Sequence, residues 1–346
     1  MKSRGLAVHD PKSPLQPFEF ERRELRANDV ALDVAYAGIC HSDIHQAREE
    51  WGPSIYPMVP GHEIAGTVRA IGAAVANFKV GDRIGVGVFI DSCRICSSCK
   101  NGLQQYCENG NTGTYNSIER DGKTIAFGGY SNYFVIDADY AVHIPENLDL
   151  AGVAPLLCAG ITLYSPLKHW NAKVGTKVGI VGLGGLGHMG VKFAKALGSD
   201  VTVFSHSPQK ESDALAMGAD HFVLTKDPAT LKNFARSFDL ILNTVSAELD
   251  ISAYLNMLRL DGTLVVIGLP GKPYSVGAGV LLSARRSMSG SQVGGIPEIQ
   301  EMLDFCGTHN IVSDVEVIRA EYANTAYERT IASDVKYRFV IDGKSF

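Results

Sequence analysis

The sequence predicts an α/β protein in two parts, a mostly β half followed by a doubly wound parallel sheet. Three observations carry that reading. From Leu6 to about Leu150 the chain is a series of short alternating or apolar runs punctuated by Gly and Pro, with no long helical period. From Gly175 onward, strands and helical segments alternate, the rhythm of a parallel sheet covered on both faces. The 346 residues also exceed what one core usually organises, so about two domains are expected.

The strand-like runs of the first half are Leu6-Ala7-Val8, Val30 to Tyr36, Ile64 to Val68, Asp82 to Val86 and Tyr133 to Ile136, with Gly81-Asp82 as a tight turn. Between the second and third lies the densest chemistry in the chain. It reads Cys40-His41-Ser42-Asp43-Ile44-His45, then a Trp51-Gly52 loop, then Pro60-Gly61-His62-Glu63. A thiolate, an imidazole and carboxylates flanked by turn-forming Pro and Gly suit zinc. Taken alone, Cys40 also reads as a buried small hydrophobe. The set Cys40, His62 and Glu63 asks for one more ligand, because a catalytic zinc takes three protein ligands and keeps a place open.

A second cluster follows, Cys93-Arg94-Ile95-Cys96-Ser97-Ser98-Cys99 with Cys107 a short loop away. Three thiols spaced by two residues and a fourth nearby can close on a tetrahedral ion, a structural zinc in a lobe spanning 91–109. Arg94 and Lys100 are expected to offset part of its negative charge. An odd total of seven cysteines, four of them within fifteen residues, fits metal binding better than disulfides. Cys40, Cys158 and Cys306 remain. Cys158 lies in an apolar stretch leading into a helix, where it would pass for a core thiol were a ligand not missing upstream. Cys40, His62 and Cys158 then make a two-thiolate, one-imidazole catalytic site, with Glu63 as the fourth ligand or just behind it. Two zinc ions per chain are expected. Cys306, on the amphipathic Ile299–Cys306 segment, reads as packing.

In the second half, the strand Lys177 to Val181 runs into Gly182-Leu183-Gly184-Gly185-Leu186-Gly187 and a helix from His188 to Leu197, which Gly198 stops before the strand Val201 to Phe204. That strand, turn, helix and strand supply the context a dinucleotide site needs: glycines admit a pyrophosphate, and the helix N-terminus offers partial positive charge. Where an NAD site usually places a carboxylate, this chain has Ser205, Ser207 and Lys210, which favour the 2′-phosphate of NADP(H). Strands follow at Asp220–Leu224, Asp239–Val245 and Thr263–Gly268. Ligands lie beyond the carboxyl ends of such strands, which nominates Thr244, Val245, Ile267 and Gly268.

A formal charge of −5 and the lack of a long basic cluster point away from nucleic acid and anionic membranes and towards small-molecule partners. No apolar run has the length of a signal segment or a membrane helix, so a cytoplasmic location is expected.

Over nearly its whole length the chain resembles zinc-dependent medium-chain alcohol dehydrogenases, and is most similar to the cinnamyl alcohol dehydrogenase group. The resemblance rests on Gly38 to Asp43, Pro60 to Glu63, the four-cysteine lobe, Leu156 to Thr162, Gly182 to His188, Leu242 to Ser246 and Gly290 to Gly295. It implies a β-rich GroES-like catalytic domain over 1–159, a Rossmann cofactor domain over 160–292 and a return to the catalytic domain over 293–346. It implies reversible hydride transfer between NADP(H) and primary alcohols or aldehydes, aromatic or of medium chain length. By the same resemblance, Ser42 is expected to take the substrate proton and pass it through the nicotinamide ribose to His45, and Asp43 to orient His62. As an alternative, Ser42 caps a helix opening at Asp43. The resemblance further implies that Thr162 meets the nicotinamide, that Ser291 and Val293 lie near its carboxamide, that Arg338 lies near the pyrophosphate and that Trp51 lines the substrate pocket. A homodimer joined along a Tyr274–Leu282 edge strand is implied as well. The competing readings are an NAD-dependent polyol dehydrogenase, a nucleotide-binding protein with structural zinc only and, more weakly, a redox-sensing cysteine lobe.

Overall fold

The computed structural model describes residues 1–346. The chain divides into two compact units, Met1–Ile161 with Gly294–Phe346, and Thr162–Val293. No single helix is long and apolar enough to cross a membrane.

The first unit is built on a seven-stranded sheet around Asp29–Gly38, a ten-residue strand buried along most of its length. It pairs antiparallel with Ile64–Ile71, with Tyr133–Asp137 and with Arg338–Asp342 from the far end of the chain. Arg83–Val86 and Val142–His143 extend one side, and Val315–Ile318 lies parallel to Arg338–Asp342 on the other. Burial on both faces explains why Val30-Ala31-Leu32 reads as a continuous apolar run. At the ends of the two central strands, Gly38 N donates to Glu63 O at 2.8 Å, so Cys40 and the His62-Glu63 pair leave the sheet side by side.

The second unit holds six parallel strands in the order His221–Leu224, Asp200–Ser205, Lys177–Val181, Phe238–Asn243, Leu258–Val266 and Ser287–Gly290. The order reverses between Lys177–Val181 and Phe238–Asn243, the switch point beyond which ligands of such sheets bind. Val181, Phe204, Phe238, Ile241, Leu255 and Leu264 belong to its core. The α/β fold class read from the strand and helix rhythm is the one observed.

Three local expectations are corrected. Tyr274–Leu282 is not a strand: Ala278–Leu282 is a short helix after an irregular stretch. Val280 and Leu281 of that helix, and Val276 just before it, pack against the core. The strand at this edge is Ser287–Gly290, whose polar Ser-Met-Ser-Gly sequence carries no strand signal; His221–Leu224 forms the opposite edge. The helix after Cys40 opens at His41, not Asp43, so Cys40 occupies the cap position and Ser42 lies inside the first turn. Arg94 does not face the cysteine sulfurs, because its guanidinium bonds Asp91, Asp137 and Asp139.

Candidate functional site

Cys40 ends an extended segment and caps the His41–Ala47 helix, and its backbone N–H donates to Asp43 Oδ2 at 2.9 Å. Cys158 follows a short 3₁₀ turn, Ala154–Leu157, and precedes the Ala159–His169 helix. Donor atoms of Cys40, His62, Glu63 and Cys158 all lie within 4.8 Å of one another, and all four residues are buried. The two sulfurs are 4.0 Å apart, close to the roughly 3.8 Å set by two zinc–sulfur bonds of about 2.3 Å at a tetrahedral angle. Asp43 Oδ1 receives His62 Nδ1 at 2.9 Å, which leaves Nε2 as the ligating nitrogen.

Glu63 is fully buried and forms an ion pair with Arg338 through Oε1. Its Oε2 has no hydrogen-bond partner. Buried carboxylate oxygens are normally satisfied, so a cation beside the two sulfurs and the imidazole fits this donor set. Arg338, expected near the pyrophosphate, is engaged with Glu63 and is itself buried. Cys40's thiol lies well below its usual range, chiefly through the hydrogen bond from Cys158; burial opposes the shift, and Arg338 and His62 add to it. Cys158, which carries that proton, is pushed well up. Burial pushes Glu63 up to about 8 against the pull of Arg338.

The four lobe cysteines form a second set, with ligand atoms again within 4.8 Å of one another. Cys93 Sγ and Cys99 Sγ are 3.9 Å apart. Backbone N–H groups point at the sulfurs, Cys96 N at Cys93 Sγ and Cys93 N at Cys107 Sγ, each at 3.4 Å. Donation from the Asn109 side chain and from the backbone of Cys96 and Ile95 lowers the Cys93 thiol to about 5, the thiolate a metal needs. Burial pushes Cys99 up to about 11. Four sulfurs and no oxygen donor suit a closed zinc site.

Ser42 Oγ lies 3.6 Å from Cys40 Sγ, next to the first set. His45, one turn further along the same helix, is half-buried, pairs with Glu50 and stacks on Trp51 at 4.7 Å. Trp51 is 48 % exposed.

In the Thr162–Val293 unit the glycine turn is built for close approach. Gly182 has φ 90°, and a Cβ there would lie 2.6 Å from Val245. A Cβ on Gly187 would lie 2.0 Å from Gly182 O, but one on Gly184 would meet nothing within 4 Å. Open space over Gly184, before the Gly187–Ala196 helix, is a cradle that a phosphate can enter and a side chain would fill. Gly185, Leu183 and Leu186 complete the turn. Ser205 Oγ accepts from Ser207 N at 3.2 Å, and Lys210 Nζ donates to Leu183 O at 2.6 Å, which ties the ammonium to the glycine turn. Burial lowers that ammonium's pKa while Asp213 opposes the shift. Thr244 Oγ1 donates to Val181 O at 2.8 Å, and Asn243 O receives Ile267 N and Gly268 N, so these candidates gather at the strand ends. Thr162 is buried, Ser291 N donates to Val266 O, and Val293 takes φ 37°.

Sequence reasoning missed the groups behind His62. Tyr130 donates to Asp43 and Tyr115 stacks on His62. Isolated tyrosines carry no motif, and nothing in their spacing pairs them with a histidine far away in the chain. Asn243, which organises the strand-end loops, could have been found from its place at the end of an apolar strand.

The alcohol dehydrogenase GroES-like domain family matches residues 26–146, and the zinc-binding dehydrogenase family matches residues 185–308. NADP-dependent alcohol dehydrogenase C 1 of Mycolicibacterium smegmatis is 57% identical over 342 residues, which cover 99% of this chain and 98% of that protein. A cinnamyl alcohol dehydrogenase of Sorghum bicolor superposes with a TM-score of 0.96 at 43% identity, covering 99% of this chain and 98% of that one. One from Helicobacter pylori, solved with NADP(H), gives 0.93 at 41%, covering 100% and 99%. With two thiolate-bearing donor sets and a glycine turn after the first parallel strand, the chain belongs to the zinc-dependent medium-chain alcohol dehydrogenases, within the cinnamyl alcohol dehydrogenase group.

Proposed function

We propose that this protein is an NADP(H)-dependent alcohol dehydrogenase and aldehyde reductase that carries two zinc ions per chain, acting on primary alcohols and aldehydes of aromatic or medium-chain type. The observation that carries the reading is the convergence of Cys40, His62 and Cys158, with Glu63, on one buried point beside Ser42. Zinc held there supplies Lewis acidity to the substrate oxygen. The chain's own residues do the rest. Asp43 holds His62 in one tautomer and orientation. Ser42 Oγ exchanges the hydroxyl proton with the substrate, and His45, half-buried on the same helix, exchanges it with solvent. NADP(H) held at the Gly182–Gly187 turn would supply or take up the hydride at the carbonyl carbon, so that aldehyde, hydride and one proton balance the alcohol.

Ser205, Ser207 and Lys210 receive the 2′-phosphate, and no carboxylate stands at the end of that strand to repel it. Thr162, Ser291 and Val293 serve the nicotinamide side, and Arg338 serves the pyrophosphate while holding Glu63. The catalytic part spans 1–159 and 293–346 and the cofactor part 160–292. Trp51 favours planar substrates by stacking and area burial. The relative named as NADP-dependent and the neighbour solved with NADP(H) support the cofactor assignment.

One experiment tests the reading: metal-quantified protein assayed with an aldehyde and alcohol panel and both cofactors. Two zinc ions per chain, one lost with turnover in Cys40→Ala, and faster initial rates with NADPH are expected. A clear preference for NADH together with polyols would favour the polyol dehydrogenase reading, and one zinc with no dependence on Cys40 the binding protein. A homodimer joined at the Ser287–Gly290 edge is part of the proposal, since an unpaired edge strand is a pairing surface. Sedimentation at twice 37.2 kDa, reverting to the single mass in a Ser287→Lys, Ser289→Lys variant, is expected.

A further inference from the structure

Asp43 has no exposed surface and four hydrogen-bond donors. Oδ1 accepts from His62 Nδ1 at 2.9 Å and Gly61 N at 3.1 Å; Oδ2 accepts from Cys40 N at 2.9 Å and the Tyr130 hydroxyl at 3.0 Å. Three of these donors belong to the two segments that carry the ligands. The fourth, Tyr130, comes from 87 residues away.

The loop that brings it is fastened at both faces. Gly128 N, Gly129 N and Tyr130 N donate to Val59 O, Gly61 O and Pro60 O at 2.7, 2.8 and 2.9 Å, so the loop runs rung by rung beside the residues leading to His62. Gly61 adopts φ 103°, and a Cβ there would lie 2.5 Å from the Tyr130 ring. Behind the loop, Arg22 spends its guanidinium on Phe127 O at 2.6 Å, Gly128 O at 2.7 Å, Tyr133 O at 2.6 Å and Ser131 Oγ at 2.8 Å. Burying a cation is costly unless its donors are hydrogen-bonded, and these four bonds hold one loop conformation. The Tyr115 ring stacks on His62 at 5.8 Å with a tilt of 22°, and Tyr327 meets Tyr130 at 6.4 Å and 60°. His62 is thereby confined from its ring face as well as through Asp43.

We infer that Tyr130 is a positioning residue for the Cys40–His62–Cys158 metal centre: its hydroxyl fixes the Asp43 carboxylate that aims the His62 ring, and Arg22 locks the loop that carries it. The inference rests on zinc at that centre, as proposed above. Groups standing behind a metal-bound histidine typically set metal affinity by a factor of about 10–100 when removed. Tyr130→Phe deletes the hydroxyl and keeps the ring that packs on Gly61, so the fold is preserved.

The test is zinc release from the two-zinc protein to a chromophoric chelator. Release phases are assigned by their loss in Cys40→Ala and in Cys107→Ser. In Tyr130→Phe the Cys40-dependent phase is expected to accelerate about ten- to a hundredfold, with the Cys107-dependent phase unchanged as an internal control of folding. Cobalt in place of zinc at the Cys40 centre is expected to show shifted d–d bands in the variant. In an Asp43→Asn background Tyr130→Phe is expected to add nothing, because the two act through one carboxylate. Arg22→Lys, which slackens the loop without touching Tyr130, is expected to speed the same phase. Unchanged release and cobalt spectra, or a full additional effect on top of Asp43→Asn, would overturn the assignment to Tyr130. Absence of any Cys40-dependent zinc in the unmutated protein would instead bring down the metal reading and this inference with it.

Discussion

Gly38 has no room for a side chain: a Cβ there would lie 2.0 Å from Glu63 Oε2. Gly38→Ala must push that carboxylate aside, and overpacking of this kind costs about 1–3 kcal/mol. A lower denaturation midpoint together with weaker zinc retention is the expected outcome, read by denaturant titration and metal analysis. At Ser205 charge decides the outcome. Ser205→Asp places a carboxylate where a 2′-phosphate would lie, and the NADPH Michaelis constant is expected to rise about tenfold or more while that for NADH does not. An unchanged value for NADPH would refute the phosphate assignment. Cys306 is fully buried, and burial pushes its thiol up to about 12. It is therefore protonated at pH 8 and is expected to resist iodoacetamide until the chain is unfolded, which mass spectrometry of alkylated peptides would show.

Among elements, the turn into the Gly187–Ala196 helix separates two kinds of glycine. Gly187→Ala collides with Gly182 O and is expected to destabilise the unit; Gly184→Ala meets no atom and is expected to leave the melting temperature unchanged. The same Gly184→Ala side chain intrudes where a phosphate would come close, so NADPH affinity is expected to fall by about tenfold or more, measured by fluorescence titration. The strand, glycine turn and helix were legible because each signal is local: an apolar run, a run of glycines and a 3.6-residue period. Ser287–Gly290 was not legible, because an edge strand is defined by the neighbour it pairs with and its own residues are polar. The Tyr274–Leu282 stretch fits a strand for the complementary reason, since a short apolar run suits either period until its packing partners are known.

Over the whole molecule the two donor sets and the glycine turn answer to separate compact units, the cysteine lobe in Met1–Ile161 with Gly294–Phe346 and the turn in Thr162–Val293. Cys107→Ser is therefore expected to cost one zinc and lower the melting temperature, because zinc binding free energy is folding free energy for a lobe of this size. Affinity for NADPH in that variant is expected to stay within about twofold, since the substitution touches no residue of the glycine turn. A large loss of NADPH binding would show that the lobe acts beyond its own fold. The sequence by itself determined the α/β class, the parallel sheet with its glycine turn and the presence of two thiol-rich donor groups, because periodicity and ligand spacing act over a few residues. Only the tertiary structure decided that Arg338 meets Glu63, that Arg94 turns to carboxylates, and that Tyr130 reaches Asp43. Those contacts depend on strand pairing and loop packing between segments far apart in the chain, which no local pattern encodes.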